Sequence, residues 1–347
     1  MKRTATPRLA AAFVLGVALC VAVLGRPVRP AGLAQAASNL DGTDATPAGA
    51  ISTIAIQPPQ EFQVPATPDH PAYTLYSPGG PAGAPAPSVA LLVLHGMGAN
   101  GPGMAATILP YARSQGWLVV APTIPYGDWR DPSQLAGEVL GLQPRLANLL
   151  DAVTAETGVP LPTRVMLFGF SRGAQAALRF SVLYPQRVQA VAALSAGTYT
   201  LPAKTIKTAA GSTIAAPLPY GLADIEQRAG RSVDQAGLAH VRFWIGVGAK
   251  DNRDGDVPRQ WDPFVGKNRV ERAQRFASAL VQLGYQAQVD VVPDAGHELS
   301  PPMLEHVTGF LAGVAADLQA QAAAATTTEP VPPSTDSPAP TPVLHDI

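Results

Sequence analysis

Short runs of aliphatic and β-branched residues recur along the central part of the chain, at residues 89–94, 117–121, 165–168, 188–194, 241–247 and 289–292. Apolar runs this short, with no polar alternation, read as strands buried on both faces. Between them the spacing changes to three and four. Val270, Ala273, Phe276, Ala277, Leu280 and Leu283 make one apolar helix face closed by Gly284. A last helix is expected from Ser300, with Pro301 in its first turn and Met303, Val307, Phe310, Leu311 and Val314 on its inner face. This alternation predicts an α/β fold, a mostly parallel central sheet with helices on both faces. Residues 53–56 and 73–76 are expected as additional edge strands, because prolines surround them.

The two ends follow different patterns. Lys2, Arg3 and Arg8 precede an apolar stretch over 9–24, and Ala34-Gln35-Ala36-Ala37 suits signal peptidase, so residues 1–37 are expected to be an export signal. The competing reading is an uncleaved anchor, but the stretch is short for a span of roughly 20 residues. Residues 38–50 are small and polar and read as a linker, and 320–347 as a disordered tail rich in Ala, Thr and Pro. One α/β domain over 51–319 remains, with a cap-like insertion at 199–239. The only cysteine, Cys20, falls inside the apolar N-terminal stretch, so a processed chain carries no thiol or disulfide. A formal charge of -1 over 347 residues gives no reason to expect a nucleic-acid partner.

Candidate chemistry centres on Gly169-Phe170-Ser171-Arg172-Gly173, where an apolar run stops and a helical pattern starts. A serine flanked by glycines at a strand-to-helix turn is exposed at the strained apex, and the glycines avoid side-chain clashes there. The blander job for Ser171 is a helix cap. Ala193-Leu194-Ser195-Ala196-Gly197 is a near copy at another strand end, but its first glycine is replaced and no amphipathic helix follows directly, so Ser195 is expected to be structural.

A neutral serine needs a base to take its proton, and that base needs a carboxylate to fix its tautomer. His297, just past the last strand in Pro293-Asp294-Ala295-Gly296-His297-Glu298, is expected on the same sheet edge as Ser171. Asp251 follows the strand at 241–247 and is the preferred acid, with Asp254 and Asp256 as alternatives in the same loop. That loop also invites a calcium reading, but Arg253 stands where an EF-hand ligand belongs, and no paired-histidine zinc signature exists, so no metal is expected. The oxyanion of acyl transfer needs preorganised donors, and the backbone N–H groups of Met97, in Leu94-His95-Gly96-Met97-Gly98, and of Arg172 are the expected pair. Tyr126, Trp129, Tyr220 and Trp261 are candidates for lining the substrate mouth. Tyr220 lies in Pro217-Leu218-Pro219-Tyr220-Gly221, a rigid aromatic lip on the expected cap.

Taken together, "GFSRG", "LHGMG", "GAKD" and "AGHE", in that order over residues 89–314, resemble the α/β-hydrolase superfamily. They look most similar to secreted bacterial esterases near the polyhydroxyalkanoate-depolymerase and feruloyl-esterase branches. That resemblance implies the α/β-hydrolase fold, Ser171, Asp251 and His297 as the triad, and no cofactor. Arg172 after the serine departs from the commoner small or polar neighbours. The expected activity is hydrolysis of a small or polymeric carboxylic ester through an acyl-enzyme. An acyltransferase with the same triad and a non-catalytic binding protein on the same scaffold are the alternatives.

Overall fold

A computed structural model describes residues 56–81, 87–207 and 211–327. The expected export signal and linker lie outside the described residues, as does the tail beyond 327. In chain order the strands are β1 (Ile56–Gln57), β2 (Gln60–Val64), β3 (Tyr73–Ser77), β4 (Gly80–Pro81), β5 (Ala90–Leu94), β6 (Leu118–Pro122), β7 (Val165–Phe170), β8 (Val188–Leu194), β9 (Thr205–Lys207), β10 (Thr213–Ala215), β11 (Arg242–Gly248) and β12 (Gln286–Val292). The helices are α1 (Gly101–Ala106), α2 (Leu109–Ser114), α3 (Pro132–Thr157), α4 (Arg172–Leu183), α5 (Ile225–Ala229), α6 (Gln235–Leu238), α7 (Asp262–Val265), α8 (Arg269–Gln282) and α9 (Pro301–Thr327).

An eight-stranded sheet in the order β12-β11-β8-β7-β5-β6-β3-β2 organises the domain. It is parallel from β12 to β6, and β3 and β2 complete it antiparallel. Period-two alternation divides its side chains between two cores. Leu92 and Leu94 of β5 pack with α3, α4 and α8 on one face, and Leu91 and Val93 pack with α1, α2 and α9 on the other. The helix faces match: Ala273, Phe276, Ala277 and Leu280 of α8 are buried in the first core, and Met303, Val307, Leu311 and Val314 of α9 in the second. The apolar runs of the sequence are therefore the inner strands, covered on both sides.

Three elements depart from expectation. Helix α9 continues to Thr327, past the boundary expected at Gln319, because the alanine-rich stretch after Leu318 has the strongest intrinsic helix preference. The polar strand β2 adds to the sheet beyond β3. Only Ile56 of the expected strand at 53–56 is described, and it pairs through β1 with β4. Among the described residues no helix is long and apolar enough to cross a membrane.

Candidate active site

The turn between β7 and α4 is one residue wide. Ser171 occupies it with φ 54° and ψ −112°, and its N–H donates to the Leu194 carbonyl at 2.8 Å. A non-glycine residue in this region costs about 1–3 kcal/mol and persists only where its surroundings over-determine it. Here they do. A Cβ at Gly173 would fall on the carbonyl oxygen of Leu94, so α4 can lie this close to β5 only with glycine there. A Cβ at Gly169 would meet the Gly173 carbonyl oxygen at 2.5 Å, which accounts for the other glycine of the motif.

Beyond β11 the chain turns at once into the loop carrying Asp251, whose N–H closes on the Gly248 carbonyl at 3.0 Å. Backbone bonds from Ala249 to Val292 and from Lys250 to Ala295, both 2.9 Å, then clamp this loop to the one that follows β12. The clamp needs Gly248, since a Cβ there would strike the carbonyl of Ala295. His297 is held in the second loop with its ring against Phe170, centroids 5.0 Å apart.

These three strand ends bring the side chains together. His297 Nδ1 lies 2.7 Å from Asp251 Oδ2, and its Nε2 lies 3.0 Å from Ser171 Oγ. An ionised carboxylate only accepts, so Nδ1 carries the proton and Nε2 is left to accept from the serine hydroxyl. Asp251 is buried, which pushes its carboxyl up, but the His297 hydrogen bond and the Arg269 charge outweigh this and hold it below the ordinary carboxylate value. Its other oxygen, Oδ1, accepts from Arg269 at 2.9 Å. Of the alternative acids, Asp256 pairs with Arg253 at 2.8 Å, and Asp254 is approached by Asn268 and Arg259. Among the described residues no group of three acidic, histidine or cysteine side chains is arranged to hold a metal ion.

Ser171 and His297 open onto a cavity of about 660 Å³ whose walls also include Met97, Arg172, Trp129 and Phe170. The Arg172 N–H belongs to the first turn of α4, where backbone donors have no intrahelical acceptor. Its side chain turns away from solvent. The guanidinium is buried, bonds Gln175 Oε1 at 2.7 Å, pairs with Glu138 of α3 and sits over the Tyr126 ring at 5.1 Å. The unusual arginine after the serine thus ties the nucleophile turn to α3.

His95 also has a backbone role. Its Nδ1–H donates to the Gly96 carbonyl at 2.7 Å and its Nε2 accepts from Ile124 N–H at 2.9 Å, joining the loop after β5 to the one after β6. Burial holds its pKa below the ordinary histidine value, although the Gly96 bond opposes the shift.

Of the four aromatic candidates only Trp129 reaches the cavity wall. Tyr126 lies beneath Arg172 with a buried hydroxyl. Trp261 is fully buried and donates its indole N–H to the Tyr199 carbonyl at 2.9 Å. Tyr220 stacks on Phe264 at 4.4 Å and packs against Trp261 at 4.6 Å. The expected cap lies beside the cavity: Leu218, Leu222 and Ile225 pack on Ala136 and Val139 of α3 and Leu183 of α4, and no described residue of 199–239 is among the cavity walls. Leu218, Leu222 and Ile225 go into this side contact, while Tyr199, Leu201 and Leu238 of the same insertion are buried in the first core. Ser195, at the end of β8, has φ 53°, is fully buried and has no hydrogen-bond partner for its hydroxyl among the described residues.

Three contributors escape sequence reasoning. Arg269, Glu138 and Gln175 belong to helices whose local patterns give no hint that they approach this site.

No protein-family model matches the chain. No curated protein matches it either. Solved structures do. The poly(aspartic acid) hydrolase-1 from Sphingomonas sp. KT-1 is 21% identical, with a TM-score of 0.53 over 73% of this chain and 98% of that one. The poly(3-hydroxybutyrate) depolymerase from Bordetella parapertussis is 23% identical, with a TM-score of 0.53 over 74% of this chain and 89% of that one. Together with the strand order, this likeness establishes the α/β-hydrolase fold.

Proposed function

We propose that this chain, with its α/β-hydrolase fold, is an exported serine hydrolase that cleaves carboxylic esters, small or polymeric, through an acyl-enzyme. One observation carries the reading: a single imidazole bridges a buried carboxylate and the hydroxyl of a strained serine, at 2.7 and 3.0 Å. The names of the two structural neighbours, both hydrolases of polymers, support the same class.

In this mechanism Ser171 Oγ attacks the ester carbonyl carbon while its proton passes to His297 Nε2. The carbonyl oxygen becomes an oxyanion held by the Met97 and Arg172 N–H groups, each worth about 3–4 kcal/mol to the transition state. Collapse of the tetrahedral intermediate breaks the bond to the alcohol oxygen, which leaves with the proton from His297. Water then gives a proton to the same nitrogen as it attacks the acyl-serine, and the second collapse releases the acid and restores Ser171. Asp251 stays ionised and stabilises the imidazolium formed in each half. The basic, apolar N-terminus supports export.

A fluorophosphonate probe tests the reading. Wild type should label at Ser171 and hydrolyse 4-nitrophenyl esters, and folded Ser171→Ala should do neither. Equal labelling or turnover by the two proteins overturns it.

A further inference from the structure

The site carries an excess of guanidinium groups. Four arginines, Arg130, Arg172, Arg253 and Arg269, line the cavity that holds Ser171, against a single lining carboxylate, Asp256. Three of the four are already committed: Arg172 to Glu138, Arg253 to Asp256 and Arg269 to Asp251. The Arg130 guanidinium is in no ion pair among the described residues, although its backbone N–H donates to Asp128 Oδ1 at 2.9 Å. Its guanidinium lies over the Trp129 ring, 4.1 Å from the centroid.

That stacking has a chemical consequence. An arginine face covered by indole keeps its in-plane N–H edge free, and that edge matches a carboxylate in two parallel hydrogen bonds. The indole also restricts a long side chain that would otherwise lose rotamer entropy on binding. Position reinforces this. Trp129, Arg130, Gly255 and Pro258 line both the serine cavity and an adjoining one of about 280 Å³, so Arg130 stands where the two meet. The serine cavity supplies apolar wall from Met97, Met104, Phe170 and Leu299.

Resting on the hydrolase reading above, we propose that the substrate is an anionic ester, one that bears a free carboxylate which Arg130 binds while the scissile carbonyl lies at Ser171. Trp129 acts as the platform. The apolar wall takes the hydrocarbon between carboxylate and ester.

Two pairs of esters test this, one for each side of the scissile bond. Mono-4-nitrophenyl adipate is compared with 4-nitrophenyl hexanoate, and the hexanoate of 4-hydroxybenzoic acid with that of 4-hydroxybenzamide. In at least one pair, the ratio of kcat/KM for the charged over the neutral ester should fall about tenfold from wild type to Arg130→Gln, the loss expected for one charge-assisted contact. Arg130→Lys should recover part of it, and raising salt should shrink the wild-type ratio. A ratio unmoved by Arg130→Gln in both pairs overturns the assignment of a carboxylate to Arg130. Failure of the hydrolase reading shows separately, as neutral-ester turnover that Ser171→Ala leaves intact.

Discussion

Arg269 holds the one Asp251 oxygen that His297 does not, so the carboxylate is pinned at both ends, by a guanidinium at 2.9 Å and an imidazole at 2.7 Å. Arg269 is itself steadied by the Asp256 carbonyl at 2.9 Å. Arg269→Gln should therefore lower kcat by roughly 10- to 100-fold through misplacement of the Asp251 and His297 pair. The carboxyl also loses a cation that holds its pKa down, so its protonation, and with it the acid-side loss of activity, should move to higher pH. A pH-rate profile of wild type, Arg269→Gln and Arg269→Lys checks this, with the lysine variant intermediate.

The backbone strain at Ser171 should be measurable as stability. Ser171→Gly relieves the φ of 54°, worth about 1–3 kcal/mol, against about 0.5–1 kcal/mol of glycine entropy. A net gain of about 1 kcal/mol in urea unfolding, with activity abolished, is expected. Ser195→Gly relieves similar strain and removes a buried unpartnered hydroxyl, and it should gain stability with turnover retained.

Replacing the glycines at close approaches should do the opposite. Gly173→Ala and Gly248→Ala each put a methyl group onto a fixed backbone carbonyl. Losses of about 1–3 kcal/mol or more, typical of overpacking, are expected in denaturant midpoints.

Acid should weaken the fold through His95. Its folded pKa lies below the ordinary 6.5, so an unfolded chain takes up a proton that the folded one resists. Its contribution is whole above pH 6.5 and is lost as the pH falls through the folded value, at up to about 1.4 kcal/mol per pH unit. Equilibrium unfolding of wild type and His95→Gln between pH 5 and 8 should isolate this component, which the variant lacks.

The aromatic candidates should separate by assay. Tyr220→Ala loses its stack on Phe264 and its packing on Trp261, and should cost about 1–3 kcal/mol of stability with little change in kcat/KM. Trp129→Ala should do the reverse, since Trp129 lines the cavity and supports Arg130.

The inner strands were legible because both their faces are covered, which leaves an unbroken apolar run in the sequence. Exposure hid others. In β2, Gln60 and Glu61 face water at the sheet edge, and the first half of β12 is largely polar for the same reason, so only 289–292 stood out. Helix α3 contains Gly137, Gly141 and Pro144, which weaken a helical pattern, although Leu135, Val139, Leu142, Leu146 and Leu150 give it a buried face. Ser171, Asp251 and His297 could be named because each follows a strand end. Arg269 and Glu138 reach the site from helices by tertiary packing, which no local pattern encodes. For the insertion, length and position suggest a cover, whereas Leu218, Leu222 and Ile225 pack beside α3 and α4, a choice of partner decided by shape.

The hydroxyl and the imidazole it bonds stand 126 residues apart along the chain, and the imidazole rides on the loop after β12, a border strand where Val289 is exposed. Turnover is therefore a reporter of the last piece to dock: mild denaturant that peels this border away should silence the protein while the interior of the sheet is still intact.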